Sequence, residues 1–178
     1  MNSDSRLAAA GVALGLLMHF ALDLTATRVD TRPEKNLDGL TVRPLGGPVV
    51  GGGEVAEEDW KGRIAVINVW ATWCAPCRTE IPILNEVARE TGPEVLFLGV
   101  SVDDDQSTVE EFSRLTPLAY PTIMGKPSVL SKLPEVVNLP MTVVVEGTGR
   151  VSFLHEGAIE GPELRTAIAT AMARLPRR

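Results

Sequence analysis

The only two cysteines of this 178-residue chain stand three positions apart, in Trp73-Cys74-Ala75-Pro76-Cys77. Their flanks narrow what the chain can fold into. Upstream, Ile64-Ala65-Val66-Ile67-Asn68-Val69-Trp70 is an apolar, β-branched run of the kind that forms a strand buried in a parallel sheet. Downstream, Ile81, Leu84, Val87 and Ala88 recur at helical spacing within 78–90. The pair therefore falls where a strand ends and a helix begins. Pro76 suits the first turn of that helix, where its missing N–H costs little and its φ is preset. Unpaired N–H groups and the helix dipole at such an end favour a thiolate at Cys74. Cys77, one turn further in, reads as the more enclosed, resolving thiol. As a structural staple the pair is poor, because so short a ring restrains the unfolded chain little.

The rest of the chain alternates in the same manner. Residues 94–102 read as a second buried strand, followed by Asp103-Asp104-Asp105 and a helical pattern over 107–115. A short strand over 119–124 contains Pro121, and a short helix is expected over 128–133. Residues 141–145 and 150–154 read as a hairpin around Gly147-Thr148-Gly149. A last helix over 162–174 has Pro162 in its first turn. The order β-α-β-α-β-α-β-β-α predicts an α/β three-layer sandwich, with a central mixed sheet and helices on both faces. It resembles the thioredoxin plan. Ahead of it, residues 38–56 read as a small hairpin or extended arm. Gly51-Gly52-Gly53 reads as a connector rather than a phosphate loop, since no Gly-Lys-Ser/Thr follows. The three aspartates read as a solvated, capping helix start rather than a metal site.

Net charge is −6 and aromatic content 4%, which together argue against a nucleic-acid partner. Residues 7–22 are uncharged and largely apolar, shorter than the roughly 20 residues that span a bilayer. That length fits a signal peptide or a short signal-anchor, and Leu24-Thr25-Ala26 is only a weak cleavage site. The expected organisation is therefore export segment 1–27, linker 28–36 and domain 37–178. The domain is placed outside the cytoplasm, held at the membrane if the segment is uncleaved.

Around the dithiol, Trp73 is expected to cover the disulfide and exclude water, or simply to pack in the core. Glu80, one turn past Cys77, is either a proton acceptor for that thiol or a solvated helix glutamate. Pro82 predicts a kink within the helix. Pro140 stands at the head of a strand, where proline is tolerated in any case.

The stretch Asn68-Val69-Trp70-Ala71-Thr72-Trp73-Cys74-Ala75-Pro76-Cys77-Arg78-Thr79-Glu80-Ile81-Pro82 resembles the signature of the TlpA/ResA-type thioredoxin-like proteins, related to the CcmG/DsbE group. The likeness continues through Gly99-Val100-Ser101-Val102-Asp103, Tyr120-Pro121 and Asn138-Leu139-Pro140. It implies an exported thiol-disulfide oxidoreductase with Cys74 and Cys77 as the redox-active disulfide and Glu80 as a catalytic carboxyl. It further implies that Pro140 is a cis-proline, and that Trp73, Pro76, Leu139 and Pro140 meet an incoming polypeptide. By the same likeness the protein is expected to reduce client protein disulfides, with cytochrome c maturation as one setting, electrons from a membrane partner of DsbD/CcdA type and no cofactor. Asn68 stands where cytoplasmic thioredoxins have a buried aspartate. Met141 replaces the family's usual Thr and reads as a filler of apolar space. His155 reads as an isolated strand-end histidine.

A copper-binding module on the same fold is the alternative. Soft thiolates suit Cu(I), but only His19 and His155 are available as imidazole ligands. A structural zinc site lacks ligands within one chain. A peroxiredoxin is disfavoured, because its peroxidatic cysteine does not come in a C-x-x-C at this junction.

Overall fold

The computed structural model describes residues 36–175; the expected export segment and nearly all of the linker lie outside them. The first elements are two short antiparallel strands, β1 (Gly47–Pro48) and β2 (Glu54–Val55). The turn between them is Gly51-Gly52-Gly53 with φ of +87°, +116° and +88°, a run that side chains with a Cβ rarely adopt.

The main sheet contains β3 (Ile64–Trp70), β4 (Val95–Ser101), β5 (Thr122–Met124), β6 (Met141–Val145) and β7 (Val151–Glu156) in the order β5-β4-β3-β6-β7. β3 pairs parallel with β4 and antiparallel with β6, β4 runs parallel with β5, and β6 and β7 form the expected hairpin. All seven residues of β3 are buried, as its uninterrupted apolar run requires at the centre of a sheet.

Among the described residues, α1 (Ala75–Thr91), α2 (Gln106–Leu115) and α3 (Pro127–Leu130) connect these strands, and α4 (Gly161–Ala173) follows β7. The crossovers β3-α1-β4 and β4-α2-β5 step the same way along the sheet, so right-handed connection puts α1 and α2 on one face. Leu84 and Val87 of α1 meet Leu164 and Ile168 of α4 there, over Ile64, Val66, Phe97 and Val144. The opposite face is covered differently. Val129 and Leu130 of the one-turn α3 share it with Val42, Leu45, Val55 and Trp60 of the segment preceding β3. Helices thus lie on both faces, but the second face depends largely on the arm. That arm touches both edges of the sheet, through bridges Thr41 to Arg150 and Val49 to Ile123.

Two expected elements are shorter than anticipated. The strand expected over 119–124 begins only at Thr122, since Pro121 has no N–H to give the ladder, although its carbonyl accepts from Gly99. The helix expected over 128–133 closes after Leu130. Pro82 lies inside α1 without ending it.

Candidate active site

The site lies at the carboxyl end of β3. Trp70 closes the strand, Ala71–Trp73 turns the chain, and Cys74 is the N-cap residue of α1. Cys74 and Cys77 form a disulfide with Cα atoms 5.3 Å apart. The Cys74 sulfur also accepts the backbone N–H of Cys77 at 3.3 Å, one of the donors that a helix start leaves unpaired. Pro76 occupies the first turn, as expected, and is exposed. Cys77 is fully enclosed, whereas Cys74 keeps 6% of its surface. Cys77 is thus the more enclosed of the two, as the sequence suggested.

Leu139 packs against the cluster that contains both cysteines, Trp70, Ala71 and Ile81. The Leu139–Pro140 peptide bond is cis, and the buried Pro140 accepts the N–H of Gly157 at 2.8 Å. Met141 is wholly buried in the apolar face, in agreement with a space-filling role. Trp73 departs from expectation. It is 67% exposed, while Trp70 is the indole that packs beside the disulfide. The turn after β3 sends Trp73 outward, so it is an apolar projection beside the disulfide rather than a lid over it.

Glu80 settles on the buried side of its two readings, with 1% of its surface exposed. One carboxyl oxygen accepts Asn68 Nδ2 at 2.6 Å, and the other accepts the N–H of Ile159 at 3.1 Å. Burial pushes its pKa from 4.5 up to about 7, against the opposing pull of those two hydrogen bonds. Tyr120 faces the same region, and its phenol is held well above its ordinary value by burial and by the Glu80 charge.

By sequence Asp103 belongs to a solvated helix start, and there the structure differs. Its carboxylate accepts the N–H and hydroxyl of Thr72 at 3.0 and 2.6 Å and the hydroxyl of Ser101 at 2.7 Å. It fastens the turn before Cys74 to the end of β4. The N-cap of α2 is Asp105, whose side chain makes no capping bond. Among the described residues, no group of three or more His, Cys, Asp or Glu is placed to hold a metal ion.

A central mixed sheet with a C-x-x-C disulfide at the start of α1 and a cis-proline opposite its strand end defines a thioredoxin-like protein. The chain belongs to the AhpC/TSA family, whose model matches residues 41–154. It is 30% identical over 103 residues to the thiol-disulfide oxidoreductase ResA of Bacillus thuringiensis, covering 56% of this chain and 58% of that protein. It is 26% identical over 110 residues to the thioredoxin-like protein YneN of Bacillus subtilis, covering 60% and 64%. The chain thus spans about three fifths of the length of these curated relatives. Among solved structures, a DsbF homologue from Corynebacterium diphtheriae superposes with a TM-score of 0.67 at 25% identity, over 73% of this chain and 85% of that one. A thioredoxin family protein from Chlorobium tepidum gives a TM-score of 0.68 at 23% identity, over 80% and 99%.

Proposed function

We propose that the protein is a thiol-disulfide oxidoreductase that reduces disulfides of client proteins through Cys74 and Cys77. The observation that carries this reading is the disulfide at the N-terminus of α1, with a nearly neutral buried carboxyl one turn behind it. In the reduced protein, the Cys74 thiolate attacks a client disulfide, forming a mixed disulfide and releasing one client thiolate. Cys77 then gives its proton to the Glu80 carboxylate and attacks Cys74, closing the ring and expelling the second client thiolate. A carboxyl held near neutrality suits that step, because it accepts and returns a proton at small cost.

Trp73 and Val137 are large apolar side chains left exposed, 67% and 65%, on the turn before Cys74 and the segment before Pro140. Together with Pro76 and Leu139 they offer an apolar rim to an extended polypeptide. The apolar run over 7–22 supports a location outside the cytoplasm. No helix among the described residues is long and apolar enough to cross a membrane, and that run is the segment to which this reading assigns membrane attachment. An exported dithiol drifts to the oxidised state unless it is recharged, so a membrane electron donor of DsbD/CcdA type completes the cycle, with cytochrome c maturation as one setting.

The test is trapping. Cys77→Ser, reduced and mixed with disulfide-bonded clients, accumulates mixed disulfides on non-reducing gels, whereas Cys74→Ser accumulates none. Trapping by Cys74→Ser alone would reverse the two roles, and trapping by neither would overturn the reading.

A further inference from the structure

Register pairing sets Thr122, Gly99, Asn68, Thr142 and His155 side by side across all five strands of the main sheet. Residues in register share a face, and this is the face of α1 and α4: Asn68 reaches Glu80 of α1, and His155 reaches Glu163 of α4. Except at Gly99, the row is polar in the middle of a core. Thr122 Oγ1, Asn68 Oδ1 and Thr142 Oγ1 are buried and have no hydrogen-bond partner among the described residues, and the same holds for Trp70 Nε1 and Tyr120 OH. A buried polar group of this kind is costly to leave unpaired. Internal water satisfies groups of this kind, typically with about three hydrogen bonds per molecule.

The two ends of the row differ. At β5 it stops at Thr122, near the buried Tyr120. At β7 it reaches His155, whose Nδ1 lies 3.2 Å from Glu163 Oε1, and the Glu163 side chain is 40% exposed. Glu80 leans toward this second end: its Oε2 is held by the N–H of Ile159, in the segment joining β7 to α4. Glu80 is faced by Asn68 from β3, by the Ile159 amide and, through its charge, by Tyr120 from ahead of β5, and it lies three residues after Cys77 on its own helix. His155 is faced by Glu163 from α4 and stacks on Phe153 of its own strand.

We propose that Thr142, His155 and Glu163, bridged by internal water, form a proton relay between the Glu80 carboxyl and solvent at the β7 edge. Its purpose rests on the exchange function above; its wiring does not. After Glu80 has taken a proton from Cys77, its O–H passes a proton to a bridging water. That water passes one to the Thr142 hydroxyl, which gives up its own toward the His155 ring. The imidazolium beside Glu163 then releases a proton to solvent. Each station gives one proton for each it takes, and no electron moves. Asn68, an amide, stays unchanged and orients Glu80.

The relay is tested by mixing the oxidised full-length protein into mildly acidic heavy water and following the infrared C=O band of the Glu80 carboxylic acid, which Glu80→Gln identifies. Thr142→Val should slow deuterium uptake by roughly tenfold or more, the rate cost of a kcal/mol-scale barrier. Thr142→Ser should retain the wild-type rate, and Glu163→Gln should slow uptake several-fold. Wild-type uptake in both Thr142→Val and Glu163→Gln overturns the relay. Should Thr142→Val fold poorly, Glu163→Gln on the surface of α4 decides alone. Reduction of a client disulfide by the same wild-type sample separates the two claims: without it, slowed uptake upholds the relay and removes its proposed use.

Discussion

On one face of the central sheet Ala65, Ile67, Val69, Leu96, Leu98, Met141 and Val143 form one continuous apolar cluster. On the other, Asn68, Thr122 and Thr142 interrupt Val66, Phe97 and Val144 directly under α1 and α4. The same strands build both faces, so the difference comes from alternate residues alone. The dry face gains roughly 25 cal/mol for each Å² of apolar surface it hides. The polar face forgoes part of that gain beneath the disulfide, where a buried carboxyl and its hydrogen-bonding neighbours are held. Stability and chemistry are divided between odd and even positions of single strands.

Substitutions on the two faces test that division. The largest expected loss is on the dry face: Ile67→Ala should cost about 2–5 kcal/mol in denaturant unfolding, through lost burial and a cavity. A loss under about 1 kcal/mol would mean that the face is loosely packed.

Next comes Glu80→Gln, and its effect depends on pH. With its pKa held at about 7 instead of 4.5, the neutral form of Glu80 is favoured by the folded state. That contribution is complete below about pH 4.5 and is lost as pH rises through about 7. Wild type should therefore lose stability over this window, by at most about 3 kcal/mol. Glu80→Gln should flatten the profile, as seen by chemical denaturation at a series of pH values. Parallel profiles for the two proteins would contradict a neutralised Glu80.

The smallest effect concerns the gap in the polar row. A Cβ at Gly99 would overlap Thr122 Oγ1 and crowd Trp70 Nε1, so Gly99→Ala should cost about 1–3 kcal/mol. Adding Thr122→Ala should recover much of that loss, since the two positions share one space. Additive losses would show that the clash is relieved elsewhere.

Much of this architecture was legible in the chain. The apolar run into a C-x-x-C, the helical spacing after it and the closing hairpin give the order of elements and the antiparallel last pair, and Leu139-Pro140 is cis as the family likeness implied. The face to which a residue turns was less legible. Glu80 sits on a helix position compatible with burial or solvent, and what buries it includes Ile159, 79 residues further along. Asp103 looked like one of three equivalent acids, yet the end of β4 rotates it inward onto Thr72 while Asp104 and Asp105 stay exposed. Thr142 is an ordinary β-former within Met141-Thr142-Val143-Val144-Val145. Nothing in its neighbours marks it; only its register beside Asn68 and His155 does.

The arm ahead of β3 also bears on the order of assembly. Thr41 finds its bridge partner Arg150 109 positions later, and Val49 finds Ile123 74 positions later. Contacts so distant in sequence carry a large loop-closure cost until the intervening chain is organised. The earliest of the described residues to be synthesised are therefore among the last that can dock. Until they do, the apolar face they share with α3 stays open, and the start of β7 is a bare edge. A chain leaving the ribosome keeps that face uncovered until its first-made segment has found both distant partners.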